Sequence, residues 1–500
     1  MRRTRALALV LLALALLAPA AASALTLGPG HHPHVAVNSS GAGFFTWTEP
    51  VGAQDKFHYC RIPAGGTACN ASLTSSPGDT DVDGGYALLP GDGRVLLLNA
   101  RCCVHYADKK VFTSTDGGGV FGAAVQPGYM NGAGDNIAGN AIYAPAGAVG
   151  RAGESILTVS DVQSVGVTFQ ATGTAAGSQT TTANLGAGGG GGASYQGSLA
   201  LQGTGTLVAT LGTLSPANLY WRMWRGSGDV NDVSNWTTPE LLDSTNVNST
   251  AKLVSGPSGL YAAYSYGDTN NARYVLRKFT GSGWGARQTI SEVGNPSNGD
   301  LFEDSSGVLH FAWQQAGGTL RYRYARSAAN TDFTRPQTVA GPNGNFPFLK
   351  LAVSASSAGG AGWVTWDNGG IQVQPLGPGE PALPVYSGPT KTAKASVGSD
   401  RLILTFPKAC VTQGATFTAK LAAKAKKKHK KAKVKIKKVV FSVDGKTAGT
   451  DKKKPFSFAV PTSGLASGSH KLTAKVTATI KKHGKKKRIK KTLKGAFSIC

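Results

Sequence analysis

The chain has 500 residues, 67 of them glycine, and carries 52 Lys and Arg against 26 Asp and Glu, a formal net charge of +26 at pH 7. The absence of any long stretch with 3.6-residue apolar spacing argues against a helical bundle, and the length leaves room for two all-β domains. The charge is segregated: residues 388–500 hold 30 of the basic residues against three acids, Asp400, Asp444 and Asp451, so the rest of the chain is close to neutral.

At the amino terminus Arg2, Arg3 and Arg5 precede an apolar run from Ala6 to Leu17 and the small residues Ala22, Ser23 and Ala24. A basic start, a short apolar segment and a small-residue site make a secretory signal peptide over 1–24, cut before Leu25. No cysteine follows the cut and no apolar segment closes the sequence. The expected address is therefore secreted and extracellular, with no transmembrane segment or lipid anchor, and any hold on the cell surface is non-covalent.

From Leu27 to about Tyr386 a unit of about fifty residues recurs seven times. Its first copy contains HVAVNSSGAGFFTW (His34 to Trp47) and its last LKLAVSASSAGGAGWVTW (Leu349 to Trp366). In each, an apolar run ends in a polar turn, and a glycine opens a second run of period two: Gly43, Gly93, Gly153, Gly205, Gly259, Gly307 and Gly362. A long period built only from strand-type runs predicts a β-propeller over 25–386, with sheets starting near residues 31, 86, 137, 195, 250, 298 and 346. Leu25 to Leu27 is expected to complete the last sheet and close the ring. Seven blades is the primary reading, with six the alternative if the third unit, containing Gly188 to Gly192, is an insertion.

Within the first unit, Cys60 and Cys69 flank a short loop over Pro63 to Gly66. Placed opposite on a hairpin, with Cβ atoms about 4.5–5.5 Å apart, they are expected to form a disulfide. Adjacent Cys102 and Cys103 either bridge each other or stay apart as thiols on opposite strand faces; zinc-ligand spacing is lacking. The second unit then reads Ser114-Thr115-Asp116-Gly117-Gly118-Gly119-Val120-Phe121. This resembles the Asp-box, the Ser-x-Asp-x-Gly-x-x-aromatic turn of sialidase-type (BNR) β-propellers. The resemblance implies that Ser114, Asp116, Gly118 and Phe121 stabilise a turn and take no part in catalysis. Eroded relatives recur in phase at Asn235-Trp236, Ser282-Gly283-Trp284 and Asp332-Phe333.

Arg61-Ile62-Pro63 also resembles that family's Arg-Ile-Pro, whose arginine grips a substrate carboxylate. Here it lies in an outer hairpin between two cysteines and is expected to point away from the axis. Asp83, Glu303, Arg321 and Tyr322 are residue types that hydrolysis would need, but their spacing defines no pair, and no catalytic residue is assigned. Tyr220 to Arg225 and Leu320 to Arg326 alternate aromatics with arginines, a face suited either to sugar stacking or, as favoured here, to packing between blades under arginine stems. His31, His32 and His34 read as a strand lead-in, so no metal and no cofactor is assigned.

The Pro- and Gly-rich run around Gly377 to Ser396 predicts a linker, with 387–398 as its extent, before a domain over 399–500. Short alternating runs follow at Leu402 to Phe406, Thr416 to Leu421, Val439 to Val443, Phe456 to Val460, Lys471 to Thr477 and Leu493 to Ile499. The phrases VVFSVDGK, KKKPFSFAVP and GSHKLTAKV are similar to bacterial immunoglobulin-like modules, which implies an Ig-like β-sandwich. A Cys410–Cys500 bridge would tie its last strand to its beginning. Lysine concentrates at two hairpins whose tips are expected to be solvated and mobile. Lys426, Lys427, Lys428, Lys430, Lys431, Lys485, Lys486, Lys487 and Arg488 are assigned to binding anionic cell-wall or extracellular polymers. Without interleaved aromatics or a recognition helix, sequence-specific nucleic-acid reading is not expected. The function read from the sequence is an exported non-catalytic binding protein, its propeller presenting a glycan or protein ligand surface at the axis. A sialidase-like glycoside hydrolase and a structural envelope component are the alternatives.

Overall fold

The computed structural model describes residues 24–52, 54–75, 84–100, 109–126, 140–162, 166–174, 183–186, 194–203, 205–214, 217–244, 251–268, 271–341, 351–356, 362–376, 386–411, 415–426, 434–462, 465, 468–482 and 485–500. Residues 1–23 of the expected signal peptide, Asp83, Cys102, Cys103, the run Gly188 to Gly192, Lys427, Lys428, Lys430 and Lys431 lie outside the described residues. The chain divides into two compact units, Met1–Glu380 and Pro381–Cys500.

The first unit is a β-propeller. Among the described residues it contains seven antiparallel sheets, each led by an inner strand: His31–Val37, Gly84–Leu88, Ala141–Ala144, Ser194–Gln202, Lys252–Gly256, Ser297–Glu303 and Leu351–Ala355. Each inner strand lies beside the next, and Leu351–Ala355 returns to His31–Val37, so these strands encircle one axis. The second strands read as continuous apolar runs because sheets cover them on both faces. Leu207, Val208, Ala209 and Leu211 are all fully buried, as are Leu309, Phe311, Ala312 and Trp313.

The last sheet takes its outer strand from the other end of the chain. Leu25–Gly28 pairs antiparallel with Ile371–Leu376, Leu25 opposite Val373. The joint is packed by Phe45, Trp47, Trp363, Ile371 and Val373, and Trp363 Nε1 donates to the Gly41 carbonyl at 3.1 Å. Each such side chain contributes about 1.5–3 kcal/mol on burial, and Leu25–Gly28 covers the edge that Ile371–Leu376 would otherwise expose. The second sheet has three strands, Gly84–Leu88, Val95–Ala100 and Lys109–Ser114, with a single bridge from Val111 to Val125 in the fourth position.

Cys60 and Cys69 are bonded with a Cα separation of 5.5 Å. The expected hairpin register is corrected: Cys60 sits opposite Ser72 in the ladder. Cys69 lies in the loop before strand Ala71–Thr74, so the bridge closes a loop longer than the four residues expected.

The second unit is a sandwich of two four-stranded sheets. One orders Thr390–Val397, Asp400–Pro407, Thr416–Ala425 and Phe456–Pro461; the other orders Lys446–Asp451, Lys435–Val443, Gly468–Lys482 and Lys485–Ile499. Leu402, Leu404, Phe417, Val439, Phe441, Leu472 and Phe497 fill the space between them. Cys410 and Cys500 are bonded, and Val411 bridges Ile499 in parallel.

Three expectations about this unit are corrected. Thr390–Val397 pairs along its whole length with Asp400–Pro407, so the first strand of the sandwich occupies what composition reads as linker. Its single buried side chain is Val397, too weak an apolar signal to read from sequence. Lys446–Asp451, wholly polar or small, is an edge strand missed for the same reason. The second lysine tract is mostly strand: Gly468–Lys482 and Lys485–Ile499 pair continuously to Lys482 opposite Lys485.

Candidate functional site

The Asp-box segment folds as a tight turn. Ser114 Oγ donates to Asp116 Oδ1 at 2.6 Å, while Asp116 Oδ1 accepts from the amides of Gly119 at 2.9 Å and Val120 at 3.0 Å. The Ser114 hydroxyl, then the Val120 amide, hold the exposed Asp116 carboxyl below its usual range. The first sheet clamps this turn from outside: Tyr59 Oη donates to the Gly118 carbonyl at 3.0 Å and Arg61 Nη1 to the Gly117 carbonyl at 2.7 Å. Phe121 packs edge-on against Tyr59 at 5.0 Å. Arg61, which also donates to Asn70, is thereby an inter-sheet strut.

Gly118 has φ +85°, and a Cβ there would lie 2.3 Å from Tyr59 Oη. Gly118→Ala is expected to destabilise the chain by about 2 kcal/mol or more, read as a lower urea midpoint at unchanged slope. An unchanged midpoint would show that this turn does not hold the two sheets.

The arginine-and-aromatic strands resolve into a repeated inter-sheet bond. Arg222 donates to the Leu185 carbonyl, Arg277 to that of Leu242 and Arg323 to that of Ile290, each acceptor at the outer strand of the preceding sheet. The eroded Asp-box aromatics pair beside them, Trp224 with Trp236, Phe279 with Trp284 and Ala325 with Phe333. Arg321 forms an ion pair with Glu292, Nε to Oε2 at 3.3 Å.

Glu303 and Tyr322 enter separate buried networks. Glu303 Oε1 accepts from the Ser258 amide at 2.6 Å. Burial, chiefly, raises its carboxyl above the usual range. Tyr322 Oη meets His310 Nδ1 at 2.7 Å, and His310 Nε2 meets Asp304 Oδ2 at 2.9 Å. This Asp–His–Tyr chain has the connectivity of a catalytic relay and is closed to solvent, Asp304 and His310 each 1% exposed and Tyr322 2%. Burial raises the Tyr322 phenol. Sequence reading missed Asp304 and His310, whose signal, a carboxylate and an imidazole around a hairpin turn, is too common to single out.

At the first inner strand, His31 and His32 rings meet edge-on at 4.4 Å and His34 packs on Tyr86 at 4.1 Å. Among the described residues, no group of three or more His, Cys, Asp or Glu side chains is arranged to hold a metal ion.

The sandwich carries a differently built surface. Along Gly468–Lys482, Leu472, Ala474, Val476 and Ala478 face the core; period two sends Lys471, Thr473, Lys475, Thr477 and Thr479 to the other face. Register places Lys438 and Lys490 on either side of Thr477, and Lys435 and Arg488 on either side of Thr479. Lys494 lies opposite Thr473 and Thr492 opposite Lys475. The open face thus carries Lys435, Lys438, Lys471, Lys475, Lys486, Arg488, Lys490 and Lys494, all exposed.

Of the three acids of this unit, Asp444 borders the face beside Lys471 and the other two are engaged away from it. Asp400 accepts from the Val434 amide at 2.7 Å, Asp444 from the Lys471 amide with His470 at 2.6 Å, and Asp451 from the amides of Lys453 and Ser457. Of the assigned polyanion set, Lys486 and Arg488 stand on this face and Lys487 alternates to the opposite side. Lys471, Lys475 and Lys494 were missed because they lie outside the dense lysine tracts; the period-two phrase KLTAKVTATIKK carries the signal.

Residues 406–474 match the family model of a bacterial Ig domain. No curated protein matches the chain. Among solved structures, the chain is similar to a polysaccharide lyase, ulvan lyase, at TM-score 0.42 and 10% identity over 71% of this chain and 96% of that one. A six-bladed fucose-recognising lectin from Aleuria aurantia gives 0.40 and 13% over 60% and 96%. A Hadza microbial sialidase gives 0.37 and 11% over 57% and 63%. The recurrent sheets and the sandwich together make the chain a β-propeller followed by a bacterial Ig-like domain.

Proposed function

We propose that this protein is an exported, non-catalytic binding protein whose basic Ig-like domain associates with anionic cell-wall or extracellular polymers while the propeller presents a glycan or protein ligand surface. The observation that carries this reading is the cationic face of the second sandwich sheet, eight exposed cations with one acid, Asp444, at its Lys471 end. A lysine near an anionic surface is worth about 1 kcal/mol, so eight cations on one rigid face supply ample reversible retention. The burial of the Asp304–His310–Tyr322 chain and the strut role of Arg61 support a non-catalytic propeller. Export is supported by the signal-peptide pattern and the two disulfides. Among the described residues no helix is long and apolar enough to cross a membrane.

The test is retention on cell walls and anionic resin. The full chain is expected to bind at low salt and elute by roughly 0.5 M, where the Debye length falls to a few ångströms. A chain lacking 388–500 is expected to flow through. Salt-insensitive retention would remove the electrostatic reading, and release of sugar from a sialoside by the purified chain would replace the non-catalytic one.

A further inference from the structure

We infer that the Cys60–Cys69 bridge is a redox lock on the closure of the propeller ring, a proposal that rests on the export reading above and adds when the ring is fastened. The bridge belongs to the strand that carries both seams of the first sheet. Gln54–Ile62 alternates its side chains between two faces. One face sends Cys60 and Ile62 into the closing cluster with Phe45, Trp363, Ile371 and Val373, against which Leu25 and Leu27 pack. The other sends Phe57 and Tyr59 into the cluster with Val95, Leu97 and Phe112 of the second sheet, and Arg61 to the Gly117 carbonyl of the Asp-box turn. A single strand thus meets the ring's closing joint on one side and the second sheet on the other.

The bond fastens that strand to its weakest neighbour. Cys60 is fully buried, while Cys69 is exposed in the loop before Ala71–Thr74. Ala71–Thr74 is a four-residue edge strand whose ladder pairs it with residues 58–61 alone. Asn70, next to Cys69, accepts from Arg61 Nε at 2.9 Å and donates its amide to the Arg61 carbonyl at 2.8 Å. Pinning Cys69 therefore pins the residue that orients the Arg61 guanidinium. With the thiols apart, a four-residue ladder bears the whole entropy of closing the loop.

Closing the bridge takes two electrons and two protons from the two thiols. A disulfide of the glutathione class accepts them and leaves as two thiols: the exposed Cys69 forms the mixed disulfide, and Cys60, as thiolate, displaces the second thiol as it bonds to Cys69 Sγ. The packing that buries Cys60 also brings the two sulfurs together. By linkage, whatever the bond adds to the two seams, the packed seams add to the bond. In a reducing cytoplasm both thiols persist and the first sheet opens easily at both seams; in an oxidising space outside, the ring is fastened.

The experiment follows backbone hydrogen exchange by mass spectrometry in the full oxidised chain and in Cys60→Ser with Cys69→Ser. Exchange is expected to rise about 100-fold in Leu25–Gly28, in Ile371–Leu376 and over Gly118 to Val120, the factor for freeing a loop of about ten residues. In Gly259–Tyr266, a sheet remote from both seams, it stays within about 2-fold. Cys410→Ser with Cys500→Ser, in the other unit, leaves all four segments unchanged. That variant is also the background in which a phosphine reductant, applied to the folded chain, reproduces the Cys60/Cys69 result, so the lock is read even if the serine pair fails to fold. Reoxidation in a glutathione series restores slow exchange as Cys60 and Cys69 become resistant to alkylation.

Slow exchange at both seams in the reduced chain would overturn the lock. So would a rise of equal size in Gly259–Tyr266, which would make the bond a general brace. Export is read separately, by recovery of the chain from the culture medium. If the chain stays inside the cell while its seams still follow the bridge, the lock stands and its timing falls with the export reading.

Discussion

Neutralising four cations of the open face together, Lys438→Gln, Lys475→Gln, Lys490→Gln and Lys494→Gln, is expected to weaken polyanion binding at low salt by about three orders of magnitude. The reasoning is additive electrostatics on an exposed rigid surface, about 1 kcal/mol per lysine. Because each bound cation releases counterions, the wild-type logarithmic salt slope on a single-stranded polyanion is expected near 5.6 with all eight cations engaged, and about 2.8 in the variant, which keeps four. Between 50 and 200 mM salt the wild type should lose about 2,000-fold in affinity and the variant about 50-fold. Titrations at four salt concentrations read both numbers. Equal slopes in the two proteins would show that these lysines only keep the domain soluble. The side chains are exposed and stand on a paired hairpin, so stability should change by no more than about 0.5 kcal/mol.

The second large effect concerns the propeller. Asp304→Ala is expected to cost about 3–5 kcal/mol, because the lost carboxylate accepts from Ser306 N and Oγ, from Val308 N at 3.1 Å, and meets His310 Nε2, all in a buried site. Burial alone would raise the Asp304 carboxyl, but the hydrogen bonds from His310, Ser306 and Val308 outweigh it and leave it lowered. A folded-state value below the unfolded one adds stability that is complete above the ordinary carboxylate range and is lost as pH falls through the lowered folded value. Wild-type stability should therefore drop as pH falls below about 4, and part of that drop should be missing from Asp304→Ala. Urea midpoints at pH 7 and pH 3 measure both. A variant as stable as wild type at pH 7 would show the Asp304–His310–Tyr322 chain to be dispensable for the fold, reopening a functional role.

The propeller was legible to a useful degree because its signals are local. Apolar second strands need continuous hydrophobic runs, and tight hairpins need glycines such as Gly93 and Gly307, both at positive φ, so a fifty-residue period marks each sheet. The Asp-box turn was legible for the same reason, since Ser114, Asp116 and Gly118 act within five residues. The inner strands begin at His31, Gly84, Ala141, Ser194, Lys252, Ser297 and Leu351, within about five residues of the expected starts.

What stayed hidden depended on partners distant in sequence. The clamp on the Asp-box comes from Tyr59 and Arg61, more than fifty residues upstream. The edge strands Thr390–Val397 and Lys446–Asp451 bury almost no apolar side chain, so their place is set by a neighbour's unpaired backbone and not by their own pattern.

By itself, the amino-acid sequence determined an all-β chain, a repeated unit, and a neutral body followed by a strongly basic one, because hydrophobic period and charge are additive properties of residues in order. Only the tertiary structure decided which of those charges act together. Strand register, fixed by what the core face must bury, turned the lysines of three separate segments into one surface and closed the Asp304–His310–Tyr322 chain away from solvent.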